Sequence, residues 1–175
     1  MSNRQTIIAS LNDGVNQFNE LISSIDQAAF ETNYNNKWSA GQDLVHLIKV
    51  LKIVNIGFTL PKPLLHLMYG VNKNETRSFE LLKTLYKNAL EGGAKSPTIY
   101  IPKPVLFESK NHLIQKHQLL NEAFIDKLNH HSDHALDRYR LPHPILGKVT
   151  LGELACFTSF HTIHHYEFLK SKLFR

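Results

Sequence analysis

Histidine is the residue type of this chain best suited to chemistry near neutral pH. The sequence of 175 residues contains 11 histidines, and histidine is both the commonest metal ligand and the side chain that titrates nearest to physiological pH. His161 and His165 are four positions apart in a segment with helical periodicity. At about 100° per residue they lie about 40° apart, in the middle of an apolar stripe. Because such a stripe faces the core, both imidazoles are predicted to point into the protein.

A pair of histidines at positions i and i+4 is a chelating arrangement. The two imidazoles lie one helical turn apart on the same side, as in the H-E-x-x-H helix of metalloproteases. A third ligand must come from another helix, and His46 lies on the inward stripe of a predicted helix, one turn before Val50. Three histidines with an open fourth position are typical of catalytic rather than structural zinc. The sequence therefore predicts a metal site of His46, His161 and His165.

The same three histidines have a second interpretation. A histidine on an apolar helix face can bond to a backbone group or a tyrosine and bind no metal. Burial of three imidazoles without partners would cost several kcal/mol, and a shared cation would remove most of that cost. The residues alone leave both interpretations open.

Three further side chains are candidates for the site. His164 could replace His165, because i and i+3 spacing also brings two ligands together. His117 lies on the apolar stripe of a helix predicted over about 108–131, and it could be a fourth ligand, a partner of a ligand, a proton shuttle or a packed core residue. Glu153 could assist catalysis. The histidines in polar surroundings are expected to be exposed to solvent: His112, His130, His131, His134 and His143.

Long helices are needed to position these histidines. Apolar residues recur at steps of three and four over about 5–27, 38–58, 108–131 and 151–174, which predicts four long helices. Strand patterns are few. We therefore expect an all-α, antiparallel four-helix bundle in which residues 59–107 form a long crossover between the second and third helices.

Capping boxes mark the starts of the two helices that carry the predicted ligands. Ser39 is followed by Gln42, and Thr150 by Glu153. In each pair, both side chains satisfy backbone donors of the first turn. We therefore expect helices to begin at these two positions, and we expect residues 131–147 to form a polar connection before the last helix.

Composition limits the class of protein. The length is that of one domain, residues 1–175. A single cysteine, Cys156, excludes an internal disulfide framework and a cysteine-based zinc finger. No apolar run reaches about 18 residues, and the N-terminus lacks the apolar block of a signal peptide. We therefore expect a cytoplasmic protein that does not bind membranes.

The charges do not favour a nucleic-acid partner. The net charge is +5, but the lysines are dispersed and no predicted helix carries a basic stripe interleaved with aromatic residues. The pair Gly92-Gly93 lacks the lysine and hydroxyl residue of a phosphate-binding loop. The sequence contains no G-x-S-x-G motif, so a serine hydrolase is not expected.

Two segments resemble motifs of a known superfamily. Residues 38–47, W-S-A-G-Q-D-L-V-H-L, resemble the motif of the DinB-like superfamily, also called the YfiT-like metal-dependent hydrolases, in which a tryptophan precedes a histidine by eight positions. Residues 144–153, P-I-L-G-K-V-T-L-G-E, followed by F-x-x-x-H-T-I-H-H over 157–165, resemble its C-terminal segment. Each motif alone is short, and the resemblance rests mainly on the order of the two motifs and on their placement in the chain.

The resemblance implies a four-helix bundle, usually a homodimer, with a divalent metal ion held by three histidines. Carried over residue by residue, the ligands are His46, His161 and His165. The superfamily includes zinc-dependent enzymes that use low-molecular-weight thiols, such as mycothiol-dependent isomerases and bacillithiol transferases. Nitrogen ligands suit zinc, nickel or iron, so one of these ions is expected, with a small molecule or a low-molecular-weight thiol as substrate.

Three functions agree with the sequence. The first is a metal-dependent enzyme, a hydrolase if the ion activates water and a thiol transferase or isomerase if it activates a thiol. The second is a metal-binding or stress-related helical bundle protein without turnover, which its ion would stabilise. The third is a helical interaction protein whose histidines are core or pH-sensitive residues. Metal content and turnover distinguish the three.

Overall fold

The computed structural model describes residues 4–33 and 37–174 of the chain. The four long helices that the periodicity predicts are confirmed, and they form the body of the fold. The prediction of one domain over 1–175 also includes residues 1–3, 34–36 and 175, which lie outside the described residues. In chain order the helices are α1 (Arg4–Ser24), α2 (Gln27–Glu31), α3 (Ala40–Thr59), α4 (Lys62–Tyr69), α5 (Phe79–Glu91), α6 (Lys110–Asn129), α7 (Asp133–Arg138) and α8 (Leu151–Leu173).

Both predicted capping boxes are present at the starts of α3 and α8. The Ser39 hydroxyl accepts a hydrogen bond from the backbone N–H of Gln42, and the Gln42 side chain accepts one from the backbone N–H of Ser39. Thr150 and Glu153 make the same reciprocal pair. Because each box satisfies two orphan donors of the first turn, the sequence sets where α3 and α8 begin.

The long helices α1 and α6 run antiparallel. Asn12 accepts a hydrogen bond from Asn121 at 3.1 Å, and Asn19 accepts one from His117 at 2.8 Å. Positions along α1 therefore rise as positions along α6 fall. α3 and α8 are also antiparallel, because Lys172 bonds to the Trp38 carbonyl at one end while the His46 and His161 rings meet further along.

The helices α3 and α6 run parallel, and this corrects the expectation of a bundle that is antiparallel throughout. Asn55 donates a hydrogen bond to the Leu120 carbonyl at 3.0 Å, and one turn later the Phe58 and Phe124 ring centroids lie 4.9 Å apart. A short loop forces neighbouring helices to be antiparallel, whereas a long crossover can return the chain to the same end of a bundle. The crossover at residues 59–107 does this, and it carries α4 and α5.

α8 lies between α1 and α3 and is also covered by α5. It runs parallel to α1, since Leu11 packs in one apolar cluster with Leu154 and Phe18 packs in another with Leu169. Every residue from Leu151 to Thr162 is buried. Cys156 is therefore buried as well, although it lies on the side of α8 opposite His161, because neighbours surround this half of the helix.

A short β-hairpin precedes α8, and it begins in the segment that was expected to be a polar connection. Strands β1 (Arg140–His143) and β2 (Gly147–Thr150) pair antiparallel, with Leu141 opposite Val149. The alternation of apolar and polar residues is short and two prolines interrupt it, so the sequence gives a weak strand pattern. The hairpin packs closely on α3, where a Cβ added to Gly57 would lie 2.7 Å from Leu141 Cδ1.

Among the described residues no single helix is long and apolar enough to cross a membrane. Helices α3 and α4 together reach the length and hydropathy of a membrane span, but a bend of 107° separates them.

Candidate metal centre

Three histidines from two helices meet at one point. His46 comes from α3, and His161 and His165 come from successive turns of α8. The Nε2 atom of His161 lies 3.4 Å from Nε2 of His46 and 3.2 Å from Nε2 of His165. The structure therefore brings together the three residues that the sequence singled out.

The outer nitrogens of two of these rings have fixed acceptors. Nδ1 of His46 lies 3.1 Å from the Tyr100 carbonyl oxygen, and Nδ1 of His165 lies 3.1 Å from Oδ1 of Asp43. A carbonyl or carboxylate oxygen only accepts, so both Nδ1 atoms carry the proton. In the neutral ring the Nε2 atom of each then presents a lone pair.

The lone pairs of His46 and His165 both face Nε2 of His161. A neutral His161 can donate from Nε2 along at most one of these contacts, so the protein's own hydrogens cannot satisfy all three atoms. Its Nδ1 is buried and has no hydrogen-bond partner among the described residues. A cation shared by the three Nε2 lone pairs removes the conflict among the Nε2 atoms and places the proton of His161 on Nδ1.

The spacing of the nitrogens suits a tetrahedral ion. Two nitrogens bound at about 2.0–2.1 Å to one tetrahedral ion lie about 3.3–3.4 Å apart. The two closest Nε2 separations, 3.4 and 3.2 Å, agree with that value. Three imidazoles leave the fourth position of such an ion open, and imidazole nitrogen suits zinc, nickel and iron.

The surroundings keep the three rings neutral. Burial lowers the pKa of His46, and it lowers the pKa values of His161 and His165 well below the usual histidine range. A metal binds the neutral imidazole, so the burial that disfavours protonation also favours ligation.

Asp43 joins His165 to a lysine near the end of α8. Its Oδ2 atom lies 3.6 Å from Nζ of Lys172, and that ammonium also donates to the Trp38 carbonyl at 3.1 Å. The Trp38 ring stacks on His165 with an interplanar angle of 7°. Burial raises the pKa of Asp43 to about 6, against the opposing charge of Lys172. The carboxylate, the ammonium and the indole thus fix the orientation of His165.

A cavity of about 700 Å³ opens beside the three histidines. His46, His161 and His165 all belong to its wall, together with Trp38 and Tyr100. Most of the other lining side chains are apolar. A ligand held in this cavity could reach the open side of the histidine cluster.

The chain is also similar in sequence to a known protein family. Residues 11–169 match the family model of the DinB superfamily. The chain belongs to the DinB superfamily. None of the curated proteins compared with the chain matches it.

A solved structure shares the fold of this DinB superfamily member. YfiT from Bacillus subtilis, described as "a probable metal-dependent hydrolase with an unusual four-helix bundle topology", superposes with a TM-score of 0.61. The match covers 99% of this chain and 89% of YfiT, at 15% sequence identity. The prediction of an all-α four-helix bundle with a long crossover is therefore confirmed.

Two more histidines line the cavity of this DinB superfamily protein. His164 is half-buried, with its ring centroid 5.7 Å from that of His165, but it is not one of the three that converge. His143 was expected to be exposed, and this is wrong. It packs on Phe157 with ring centroids 4.5 Å apart, and its Nδ1 accepts from the backbone N–H of Leu146. The hairpin, which the sequence did not predict, turns this ring inward.

His117 lies away from the converging histidines, between α1 and α6. It is fully buried, and its Nδ1 donates to the Asn19 side chain at 2.8 Å. Burial lowers the pKa of His117 to about 3. The structure does not bring this residue to the cavity, and its contacts are those of a packed core histidine.

The His117→Gln variant is expected to be less sensitive to acid than the wild type. The unfolded chain takes up a proton at His117 near pH 6.5, whereas the folded protein does so only near pH 3, so stability falls as the pH drops below 6.5. Between pH 7 and pH 5 this costs about 2 kcal/mol. Urea unfolding at both pH values measures the effect. His112→Gln, on the exposed side of α6, is the control, and equal pH slopes for wild type and His117→Gln would contradict the prediction.

Glu153 is held by the crossover rather than by the histidines. Its Oε1 accepts from the backbone N–H and Nε of Arg77, and its Oε2 accepts from Nη2 of Arg77 and the backbone N–H of Thr150. Burial raises the pKa of Glu153, but hydrogen bonds from Arg77 and Thr150 lower it by more, so the pKa lies below its usual value. The carboxylate thus ties the crossover to the first turn of α8.

Replacement of Glu153 by glutamine is expected to lower the free energy of unfolding by about 1–2 kcal/mol at neutral pH. Hydrogen bonds to a charged group contribute more than neutral ones, and the partial exposure of Arg77 reduces the effect. The carboxylate pKa is lowered on folding, so the difference from wild type should be full at neutral pH and shrink in acid. Thermal unfolding checks this. Glu20→Gln, on the exposed side of α1, is the matched control. A loss of stability of equal size in that variant would contradict the stabilising role given to Glu153.

Asp43, Lys172 and Tyr100 also belong to this centre, and they were not predicted from the sequence. Asp43 precedes His46 by one turn on the same face of α3, which is a usable signal. The Tyr100 carbonyl gave no signal, because a backbone group far along the crossover reaches the site only after the chain has folded.

Proposed function

We propose that this DinB superfamily protein is a metal-dependent enzyme in which His46, His161 and His165 hold one divalent transition-metal ion. The observation that carries the proposal is the convergence of three Nε2 atoms, two of them left unprotonated by fixed acceptors at Nδ1. A divalent ion bound there would lower the pKa of a water or thiol in its fourth position and so supply a nucleophile. The substrate is a small molecule in the adjoining cavity.

The chain's own residues prepare the site in three ways. Asp43 and the Tyr100 carbonyl hold the protons of His165 and His46 on the outer nitrogens, which keeps the inner nitrogens free. Burial keeps the imidazoles neutral. The wall beyond the histidines is largely apolar, so a substrate bound against it would displace water from beside the nucleophile.

Two reactions fit this arrangement, and one experiment separates them. Wild-type protein is loaded with zinc or nickel, its metal content is measured, and it is then assayed in parallel for ester or amide hydrolysis and for transfer of a low-molecular-weight thiol to an electrophile. We expect about one equivalent of metal and metal-dependent turnover in one assay. Hydrolysis without thiol indicates a hydrolase, and product formed only with thiol indicates a thiol transferase. Protein that takes up no metal would overturn the proposal.

A non-catalytic metal-binding protein is the second candidate. The ion would join α3 to α8, because His46 and the other two ligands lie on different helices. Such a cross-link stabilises the folded state by mass action. Metal that raises the melting temperature, with no turnover in either assay, would select this alternative.

The homodimer stays a prediction from the resemblance, and the cytoplasmic location stays a prediction from the sequence. Light scattering of the purified protein tests the dimer, and fractionation of producing cells tests the location.

A further inference from the structure

The cavity extends well beyond the histidine cluster along α3. Asp43, His46, Val50, Ile53 and Leu60 all line it. They recur at steps of three, four and seven, so they form one face of the helix. At 1.5 Å per residue, the part of the wall beyond His46 runs for about 21 Å to Leu60.

The opposite wall follows the same direction. On α8, which is antiparallel to α3, Phe157 and Leu154 lie progressively further from His161 along the cavity. Past the start of α8 the hairpin continues the wall, with Leu141 against Gly57. We call this part of the cavity, beyond His46 and His161, the apolar groove. It is lined by Val50, Ile53, Val54, Ile56, Gly57, Leu60, Leu141, Leu154 and Phe157.

The helices of the apolar groove carry no charged side chain into it. Thr158 is the polar residue that α8 contributes, and its hydroxyl already donates to the Leu154 carbonyl at 2.7 Å. At the hairpin, Nδ1 of His143 already accepts from the backbone N–H groups of Ile145 and Leu146. Along α3, α8 and the hairpin a polar or charged ligand group would therefore find few free partners, whereas the histidine end offers several.

The wall along α3 is long enough for an extended chain. It runs for roughly 25 Å from Asp43 to Leu60, beside a cavity of about 700 Å³. Apolar side chains are also left open to solvent in the groove. Ile53 is 38% exposed and Ile56 is 59% exposed, so a bound apolar chain would remove further apolar surface from water.

We propose that the substrate of this protein carries a linear acyl or alkyl tail that lies in the apolar groove, with its reactive polar group at the three histidines. This inference rests on the proposed function for the position of the reactive group. The tail is placed by the groove alone, so the two can fail separately.

A series of saturated carboxylates of increasing length tests the groove. Hexanoate, octanoate, decanoate and dodecanoate are titrated into metal-loaded protein by calorimetry, below their micelle concentrations. Burial of one methylene contributes about 0.8 kcal/mol, so the affinity should rise up to about fourfold per added carbon until the tail fills the groove. An affinity that does not depend on chain length would overturn the proposal.

A matched pair of variants locates the tail. Ile53→Lys introduces a charge at the wall of the groove, and Leu119→Lys introduces the same charge at an exposed leucine of α6, which is 57% exposed and lies outside the cavity. We expect Ile53→Lys to remove most of the dependence on chain length and Leu119→Lys to keep it. Unchanged dependence in Ile53→Lys would overturn the assignment of the tail to this groove. Circular dichroism checks that both variants fold.

The His161→Ala variant separates the groove from the metal site. If both inferences hold, it should bind every carboxylate more weakly while keeping the rise with chain length, because the metal contacts the head and the groove contacts the tail. A rise with length in protein that never binds metal supports the groove and contradicts the proposed function. Metal binding without any rise supports the proposed function and contradicts the groove.

Discussion

Protein carrying His161→Ala is expected to keep its fold and to lose nearly all bound metal, whereas wild type should hold about one equivalent. His161 is central to the cluster, because its Nε2 makes both of the short contacts to His46 and His165. Without His161 the remaining imidazoles are His46 on α3 and His165 on α8, and the chelating pair on one face of α8 is lost. Elemental analysis after equilibration with zinc or nickel measures the loss.

His164→Ala is the matched control for this loss. His164 is an α8 histidine of the same cavity, and it is half-buried, but its nitrogens do not converge with the other three. Its removal should leave the metal content unchanged. If His164→Ala loses metal as completely as His161→Ala, the ligand set proposed here is wrong.

A second substitution guards against misfolding of the alanine variant. The His161 ring stacks on Phe157 with centroids 5.4 Å apart, so alanine leaves a gap in a packed region. His161→Phe keeps an aromatic ring there and removes only the nitrogen ligands. It should be as free of metal as the alanine variant, and retention of metal by folded His161→Phe would contradict the proposal.

The histidine cluster was predictable from the sequence because it depends on local geometry. The angles of His161 and His165 follow from one helix, and His46 lies on an apolar stripe of another. The capping boxes at Ser39 and Thr150 fix where those helices begin. Only the assumption that both stripes face one core was needed to bring the three residues together.

The direction of the helices was less predictable because it depends on the crossover. Residues 59–107 are long enough to connect either end of the bundle, and periodicity says nothing about which end they reach. The contacts of Asn55 with Leu120 and of Phe58 with Phe124 decide it. The predicted exposure of His143 was wrong for a similar reason. The orientation of His143 depends on a hairpin whose two strands are too short to show a clear alternation of apolar and polar residues.

Asp43 has two roles, of which the sequence alone indicates one. In the first turn of α3 the helix dipole stabilises a carboxylate, so the sequence alone offers a sufficient reason for Asp43. The structure adds a contact with His165, which lies 122 positions later in the chain. A contact between residues that far apart becomes visible only when α3 and α8 are packed together.

The Asp43→Asn variant is expected to bind metal about 10–100 times more weakly than wild type. Asparagine keeps the shape of the side chain and can still accept from Nδ1 of His165. It removes the negative charge that makes His165 a better electron donor, and it leaves Lys172 beside a neutral group. Competition with a chelator of known metal affinity measures the effect.

Metal affinity distinguishes this orienting role of Asp43 from a purely structural one. Burial raises the pKa of Asp43 to about 6, so its ionised form is costly in the folded protein. Removal of the charge should therefore leave the stability of the metal-free protein nearly unchanged or raise it, while the affinity for metal falls. Asp13→Asn, on the exposed side of α1, should change neither quantity. If Asp43→Asn instead lowers the stability of the metal-free protein and leaves its metal affinity at the wild-type value, then Asp43 supports the packing of α3 against α8 and does not tune His165.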